Sequence, residues 1–404
     1  MKKNNVTIIG VNYSPEDSAI GLYTTQKAEY LVSKGYNVSI ITGFPYYPQW
    51  KIRSDYKDKK RWYKETINEV SVYRYKQYVP SNPSFSKRIL HLLSFTFGNI
   101  INLFKIARPD HVICIVPFTS SILLGWFLKL RYRSKLWIHI QDFEFDAAID
   151  SGLLSSNKSV FIKMILWLER TLLKKADTIS TISNGMLKKL NSKVKNKKTY
   201  YLTNWLDTSK FRVKTDQTHP HLTSKKFKIL YSGNIGAKQD WSFFFKVLDQ
   251  LQTLNNIEVV VVGEGAEKEN VVDKIKTYNF VKHYNLVPYE ELPLLLSSAD
   301  VHFLFQKSDV IDTVMPSKLL GMMASSKPSI VTGNKDSEVA TVYKDSQGGY
   351  YFSDDSVDQV VNCIKLLKDD KNLCKQLGEN AESYVVKNYS KENILDRFIM
   401  ELET

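Results

Sequence analysis

Twice along the chain a short apolar run gives way to a helical stretch and then a turn. This alternation restricts the fold more than any other feature. In the first half the predicted strands are Val6–Tyr13, Asn37–Gly43, Asn68–Tyr78, Asp110–Pro117, Lys135–Gln141 and Thr178–Ser183, after which Tyr200–Thr203 enters Asn204-Trp205-Leu206-Asp207. Helices are predicted over Ile20–Lys34, Ser86–Ala107 and Lys158–Lys175. The second half restarts at Phe227–Tyr231 and continues through Glu258–Val262, Val281–Leu286, Val301–Phe305 and Pro328–Val331. Its helices are predicted at Asp240–Leu254, Ala266–Tyr278, Glu290–Leu296 and Lys318–Ala324, with Val357–Leu367, Lys371–Val386 and Ser390–Leu402 last. Apolar strands separated by helices build parallel sheets covered on both faces. A chain of 404 residues suits two such domains of about 200 residues each. The polar stretch Thr215–His221 marks the join. The expected fold class is α/β, with two Rossmann-like doubly wound domains, 1–205 and 227–388, facing across a cleft. Residues 206–226 form the linker, and 389–404 a C-terminal helix packing back toward the first domain. In such sheets ligands bind outside the carboxyl ends of the strands.

Charge is unevenly placed. Residues 1–200 carry 32 Lys and Arg against 14 Asp and Glu, whereas residues 201–404 carry 24 against 28. The basic half is therefore expected to meet an anionic surface, lipid or nucleic acid. Its basic residues alternate with core-forming runs and do not fill one reading element, which argues against nucleic acid. The segments Ile89–Phe104 and His111–Leu128 contain no charged residue. Pro117 and Thr119-Ser120-Ser121 interrupt the second where a strand-to-helix turn fits better than a membrane span. Lys87, Arg88, Lys105, Arg108, Lys129, Arg131 and Arg133 flank these segments, a pattern that suits helices lying in a membrane interface.

The three cysteines form no CxxC pair and read as reduced core thiols of a cytosolic protein. The apolar run near the N-terminus is too short for a signal-peptide core and reads as a first strand. There is no DxD, and the seven histidines are scattered, so neither a metal site nor any cofactor is expected.

Phe227–Asp240, FKILYSGNIGAKQD, carries the clearest chemistry. A strand breaks into Gly233-Asn234-Ile235-Gly236, Lys238 follows, and a helix starts near Asp240. Glycines let the backbone pass close to a ligand, a helix N-terminus offers N–H groups, and Lys238 adds a full charge. Such a loop is built for a nucleotide's diphosphate, or is an ordinary βα turn. Gly263-Glu264-Gly265 lacks the third glycine of a dinucleotide fingerprint, because Lys268 stands in its place. It is either a tight turn or a wall of the nucleotide pocket. In Asp309–Lys318, Pro316 and Ser317 suit a helix start, while Lys318 there opposes the helix dipole. A bound phosphate relieves that conflict, and Asp312 can accept hydrogen bonds from sugar hydroxyls. At the end of a first-domain strand, Asp142 is the candidate for cleft chemistry, and His139 is either catalytic or a core residue. Ser14-Pro15-Glu16, with Gly21 opening the first helix, is an acceptor-side loop or a plain connection.

Together these motifs resemble GT-B glycosyltransferases of family 4, of the bacterial capsule, O-antigen and colanic-acid type, over nearly the whole chain. Thr203-Asn204-Trp205-Leu206-Asp207 with Phe211 resembles the family's N-x-x-D…F signature. Tyr231-Ser232-Gly233-Asn234-Ile235-Gly236 with Lys238-Gln239 is similar to its S-G-N-x-G loop. Val287-Pro288-Tyr289, Leu292-Pro293 and Ala299-Asp300-Val301 resemble the donor-lining segment. Met315–Leu319 with Lys327-Pro328 resembles the segment where many relatives carry paired glutamates. The chain departs there: no glutamate stands near Gly321, no E-x7-E pair occurs, and whether Asp312 replaces it stays open. The glycine loop also lacks an arginine, which puts more weight on Lys238.

The resemblance implies a retaining, metal-independent transfer of a sugar from a nucleotide-sugar donor. The donor would be UDP-linked, with an N-acetylated amino sugar such as N-acetyl-fucosamine one candidate. The acceptor would be a polyprenyl-diphosphate-linked saccharide on the cytoplasmic face of the inner membrane. Gly233, Asn234, Gly236, Lys238, Gly263, Glu264, Val287, Pro288, Asp312, Pro316, Ser317 and Lys318 would bind the donor, and Ser14, Pro15 and Gly21 the acceptor. Lys238, Asp142 and His139 would serve the chemistry. Alternatives are a nucleotide-sugar epimerase on the same fold, or a basic nucleic-acid-binding protein.

Overall fold

The computed structural model describes residues 4–16, 19–117, 119–143, 159–211, 217–309, 317–353 and 356–404. They form two compact units, one of residues 1–202 with 395–404 and one of residues 203–394.

The first unit runs β1 (Asn5–Ile9), α1 (Ala19–Ser33), β2 (Asn37–Gly43), β3 (Trp62–Ile67), β4 (Val70–Tyr75), α2 (Phe85–Asn99), β5 (His111–Val116), α3 (Ser121–Tyr132), β6 (Lys135–Ile140), α4 (Ser159–Leu173), β7 (Thr178–Thr181), α5 (Asn184–Lys193) and β8 (Lys198–Tyr201). Its sheet has the order β3-β4-β2-β1-β5-β6-β7-β8, parallel except for the antiparallel β3–β4 pair. The order reverses between β1 and β5, which pair in parallel from Val6 opposite His111. Strand β5 is buried at all six positions, as its unbroken apolar sequence requires for a strand covered on both faces.

The second unit runs β9 (Phe227–Ser232), α6 (Trp241–Leu251), β10 (Ile257–Val262), α7 (Lys268–Ile275), β11 (Val281–Tyr284), α8 (Leu292–Ser297), β12 (Val301–Phe305), α9 (Ser317–Ala324), β13 (Ser329–Thr332), α10 (Glu338–Ser346), β14 (Gly349–Phe352), α11 (Val357–Asp369) and α12 (Lys371–Tyr389). Its sheet is wholly parallel in the order β11-β10-β9-β12-β13-β14, reversing between β9 and β12. Asp240 caps α6 by accepting the Phe243 amide at 2.9 Å, and the helix then buries seven apolar side chains.

Several expectations change. Lys51–Lys64, where the sequence predicts no strand or helix, contains the start of β3, which turns into β4 through Asn68 and Glu69, both at positive φ (47° and 64°). The long helix predicted over Ser86–Ala107 ends at Asn99, and one 3-10 turn, Ile101–Phe104, follows. Glu338–Ser346 and Gly349–Phe352 add a helix and a strand that the reading left unassigned. His111–Leu128 divides into β5 and most of α3, and among the described residues no helix is long and apolar enough to cross a membrane. The stretch 206–226 is built into the second unit as far as it is described: Leu206, Phe211 and Leu222 lie in that unit's core. The N-x-x-D motif explains part of this. Leu206 exchanges backbone bonds with Tyr389 (2.8 Å) and Lys391 (2.9 Å), and Asp207 pairs with the Lys391 ammonium at 3.2 Å.

The last helix, α13 (Lys391–Glu403), seats Phe398 in the core of the first unit. Its ring meets Trp137 edge-on at 5.1 Å and lies 5.3 Å from the Lys27 ammonium. Phe398→Ala should remove about 3–5 kcal/mol of stability, the usual result of opening a cavity at a buried aromatic. Urea unfolding followed through tryptophan fluorescence checks this, with a lowered midpoint as the expected outcome.

Candidate active site

At the reversal point of the second sheet, the loops leaving β9, β10 and β11 come together, and α9 begins beside them. The turn after β9 starts at Gly233 (φ 141°), a conformation that favours glycine. Gly263 and Gly265, in the turn after β10, are fixed by close approach. A Cβ on Gly263 would stand 2.2 Å from the Gly233 carbonyl oxygen, and one on Gly265 the same distance from that of Ile235. Backbone bonds from Gly233 N to Val262 O (2.9 Å), Ile235 N to Glu264 O (2.8 Å) and Glu267 N to Ile235 O (3.0 Å) lock the two loops together. The Gly263-Glu264-Gly265 segment is thus the buttress of the first loop.

These bonds alter the expected mode of anion binding. The amides of Gly233 and Ile235 are committed to the scaffold, and that of Gly236 is bonded to Gln239 Oε1 at 3.2 Å. Positive charge comes chiefly from two lysines. Lys238 is exposed, with its backbone carbonyl held by Lys307 N at 3.1 Å. Lys318, in the first turn of α9, has a buried Nζ with no hydrogen-bond partner among the described residues. It stands 3.8 Å from the centroid of the Tyr231 ring and 2.9 Å from where a Gly233 Cβ would lie. Burial pulls its pKa down to about 7. A desolvated ammonium without a hydrogen-bond acceptor among the described residues is costly, and here it occupies the reversal point of the sheet, at the first glycine of the loop.

Aromatic packing holds the floor of this site. The Tyr231 hydroxyl donates to Asn234 O at 2.6 Å, and Trp241 Nε1 donates to Gly236 O at 3.2 Å. Tyr231 and Trp241 each sit about 5 Å from Phe305. Neither Tyr231 nor Trp241 stood out in the sequence, although both fall in the FKILYSGNIGAKQDW stretch.

The remaining candidates are placed as follows. Asn234 is exposed at the tip of the loop. Glu264 is paired with Lys268 at 2.8 Å, which gives the residue standing in place of a third glycine its own task. Val287 and Pro288 lie in the loop after β11, close to the Gly263 turn, whose amide donates to Tyr284 O at 3.0 Å. Asp312 and Pro316 lie outside the described residues, and Ser317 opens α9. A Cβ at Gly321, near which relatives carry a glutamate, would meet Leu296 and Phe211 at 3.3 and 3.4 Å, so that position faces the core.

In the first unit His139 is 1% exposed on β6. Its Nδ1 lies 2.8 Å from Ser180 Oγ and its Nε2 2.9 Å from Gln141 Nε2. Burial, and then the charge of Lys27, hold its pKa well below the usual imidazole range. Of the two sequence readings, the core one fits this placement: His139 is a neutral ring inside the sheet. Asp142, just past the end of β6, is exposed. Ser14 and Pro15 follow β1. The Ser14 amide donates to Thr25 Oγ1 at 2.9 Å, its carbonyl accepts from Arg74, and Gly21 is buried in the first turns of α1. The neighbouring Glu16 was passed over as a site residue. It is buried, and one of its oxygens accepts the amides of Tyr46 (2.6 Å) and Tyr47 (2.7 Å).

Two doubly wound sheets, parallel but for the β3–β4 pair and each reversing order at its centre, define a two-domain α/β protein of the GT-B fold. Residues 18–205 match the family described as Glycosyl transferase 4-like domain, and residues 213–384 that described as Glycosyl transferases group 1. The chain is 31% identical over 412 residues to WcaI of Escherichia coli strain K12, a glycosyl transferase whose name places it in colanic acid biosynthesis. The match covers 98% of this chain and 99% of WcaI. The fold is similar to sucrose-phosphate synthase from Thermosynechococcus elongatus (TM-score 0.71, 14% identity, 99% of this chain and 98% of that one). It is also similar to Anabaena HepE in complex with UDP and glucose (TM-score 0.64, 12% identity, 99% of each chain). The chain belongs to the family 4 glycosyltransferases.

Because the folded pKa of Lys318 lies below its unfolded value, its buried charge costs stability at and below pH 7. That cost fades as pH rises from about 7 toward about 10. Lys318→Met should therefore raise stability at pH 7 by about 1–3 kcal/mol, with the gain shrinking at pH 9. Paired denaturation curves at the two pH values check both the sign and the trend.

Proposed function

We propose that this glycosyltransferase moves a sugar from a UDP-linked donor to a lipid-diphosphate-linked saccharide during assembly of a cell-surface polysaccharide. The observation that carries the proposal is the buried Lys318 ammonium at the Gly233 turn, which faces the Tyr231 ring and has no hydrogen-bond partner among the described residues. A diphosphate is the natural counter-charge for it, and Lys238 stands on the same loop. WcaI, through its name, supports the polysaccharide context, and the UDP bound by HepE supports the nucleotide.

In the proposed reaction the bond between the sugar's anomeric carbon and the β-phosphate oxygen breaks, while an acceptor hydroxyl oxygen bonds to the same carbon. The hydroxyl proton passes to the departing diphosphate. Lys318 and Lys238 take up the negative charge that develops on that leaving group, which lowers the barrier without need of a metal ion. Delivery of the acceptor on the face the diphosphate leaves would give retention. Asp142 takes the sugar-orienting role, and His139 positions Gln141 beside it.

Peripheral attachment to the inner face of the cytoplasmic membrane is part of the same proposal. The first unit exposes Leu93 and Phe97 on α2, Phe104 just after it, Phe127 and Leu130 on α3, and Trp167 on α4. Phe97, Leu130 and Trp167 are each more than 60% exposed. Arg131 stacks over Phe104 at 5.0 Å, and Lys105, Arg108 and Arg133 lie close by in sequence. An apolar patch edged with cations suits an anionic bilayer.

Lys238→Ala should cut turnover by about 10²-fold, scored as UDP release from a panel of UDP-sugars with lipid-linked acceptor. Unchanged turnover at saturating and limiting donor removes Lys238 from the mechanism. UDP affinity of the wild type should fall as pH rises above about 7, where free Lys318 loses its proton, and Lys318→Met should flatten that dependence. Isothermal titration across pH 6–9 reads both. Sedimentation with phosphatidylglycerol vesicles should capture the protein at low salt and less of it at high salt, and Phe97→Glu with Trp167→Glu should abolish capture.

A further inference from the structure

The loop between β2 and β3 has no part in the site described above, yet it is built to hold one shape. Glu16 fastens its start through the Tyr46 and Tyr47 amides, and the other Glu16 oxygen accepts Asn12 Nδ2 at 2.8 Å. Lys51 N returns to Tyr46 O at 3.1 Å and Arg53 N to Pro45 O at 3.0 Å, closing the loop. The closure forces Trp50 to φ 50°, a left-handed backbone that a bulky side chain rarely adopts. Strain of this kind persists where the surroundings impose it, and it concentrates at ligand sites.

The strained residue presents an indole in a cluster of rings. Tyr46 lies 5.4 Å and His91 5.7 Å from Trp50, and Tyr46 and His91 are 4.7 Å apart. Trp50 remains partly exposed and Tyr47 is exposed beside it. The Arg88 guanidinium lies 5.4 Å over the indole, is exposed, and has no carboxylate partner among the described residues. Lys87 adjoins it, and exposed Leu90 and Leu93 follow on the same helix. The cluster stands at the carboxyl end of β2, beside the reversal point of the first sheet, on the side where such sheets take ligands.

Resting on the glycosyl-transfer reading, we propose that this cluster is the subsite for the phosphate-linked sugar of the acceptor. Trp50 and Tyr47 stack on the apolar face of the sugar ring, Arg88 pairs with the phosphate, and the chain's first isoprene units pass to Leu90 and Leu93. Glu16 is a positioning residue that acts through the Tyr46 and Tyr47 amides.

The probe is a synthetic glucosyl diphosphate bearing a ten-carbon isoprenoid, titrated calorimetrically into the full chain, with inorganic diphosphate, free glucose and UDP as separate arms. Wild type should bind the probe more tightly than diphosphate or glucose alone. Trp50→Ala and Arg88→Gln should each weaken probe binding at least about tenfold, the loss expected of a stacking or charge-paired contact. Trp50→Phe should stay within about threefold, and UDP binding should be equal in all four proteins. Because Arg88 is exposed, Arg88→Gln decides the matter where Trp50→Ala lowers the melting temperature. Probe binding by Arg88→Gln and Trp50→Ala equal to wild type overturns the subsite, as does a wild type that binds UDP but not the probe. A wild type that fails to bind UDP overturns the transfer reading itself, and the subsite with it.

Discussion

A single ammonium, that of Lys318, sets the terms for the second unit. It is shut away from water at the reversal point of a six-stranded parallel sheet, against the face of Tyr231 and under the turn at Gly233. Left alone, such a charge favours losing its proton, and burial has already brought its pKa to about 7. The face of Tyr231, 3.8 Å away, offsets part of that cost, and the interlocked glycine loops and the aromatic floor hold the surroundings in place. A site arranged in this way reorganises little when an anion arrives, which is the condition under which a fixed charge acts most strongly on a leaving group.

The first unit uses buried polar groups differently. Arg74, wholly buried, bonds to Glu65, to the Gly43 carbonyl (3.0 Å) and to the Ser14 carbonyl, tying together β2, β3 and the loop after β1. Gln77 closes a two-bond clasp on Phe44, at 2.7 and 3.0 Å. Arg74 has its partners, and the product is loop shape. The buried Lys318 ammonium of the second unit has no hydrogen-bond partner among the described residues. The contrast follows the division of labour expected of a donor-holding and an acceptor-shaping half.

Much of this was legible in the residues. Uniformly apolar strands such as Val259–Val262 and Ile113–Val116 allow little besides a parallel sheet, and the order of elements followed. Lys318 stood out because a lysine in the first turn of a helix opposes the dipole. The β3–β4 hairpin escaped notice because its turn is Asn68-Glu69 in place of an Asn-Gly pair, and because β3 is rich in charge, as suits an edge strand. Arg74 gave no signal, since a buried arginine in a strand reads from sequence as an exposed one. Glu16 was hidden for a related reason: its partners are backbone amides thirty residues away, and no side-chain pattern marks an amide. The role of Gly263 as a buttress was likewise invisible, because it depends on a carbonyl contributed by another loop.

The chain leaves the first unit after residue 202 and returns to it at residue 395, bringing Phe398 to Trp137 and Lys27. Each unit is therefore not the product of one half of the gene. A chimaera that exchanges the second unit between relatives by a single splice at the midpoint would pair the first unit with a foreign plug for its core. Recombination that keeps both units whole needs two crossovers, the second near residue 395, so residues 395–404 are inherited with the first two hundred.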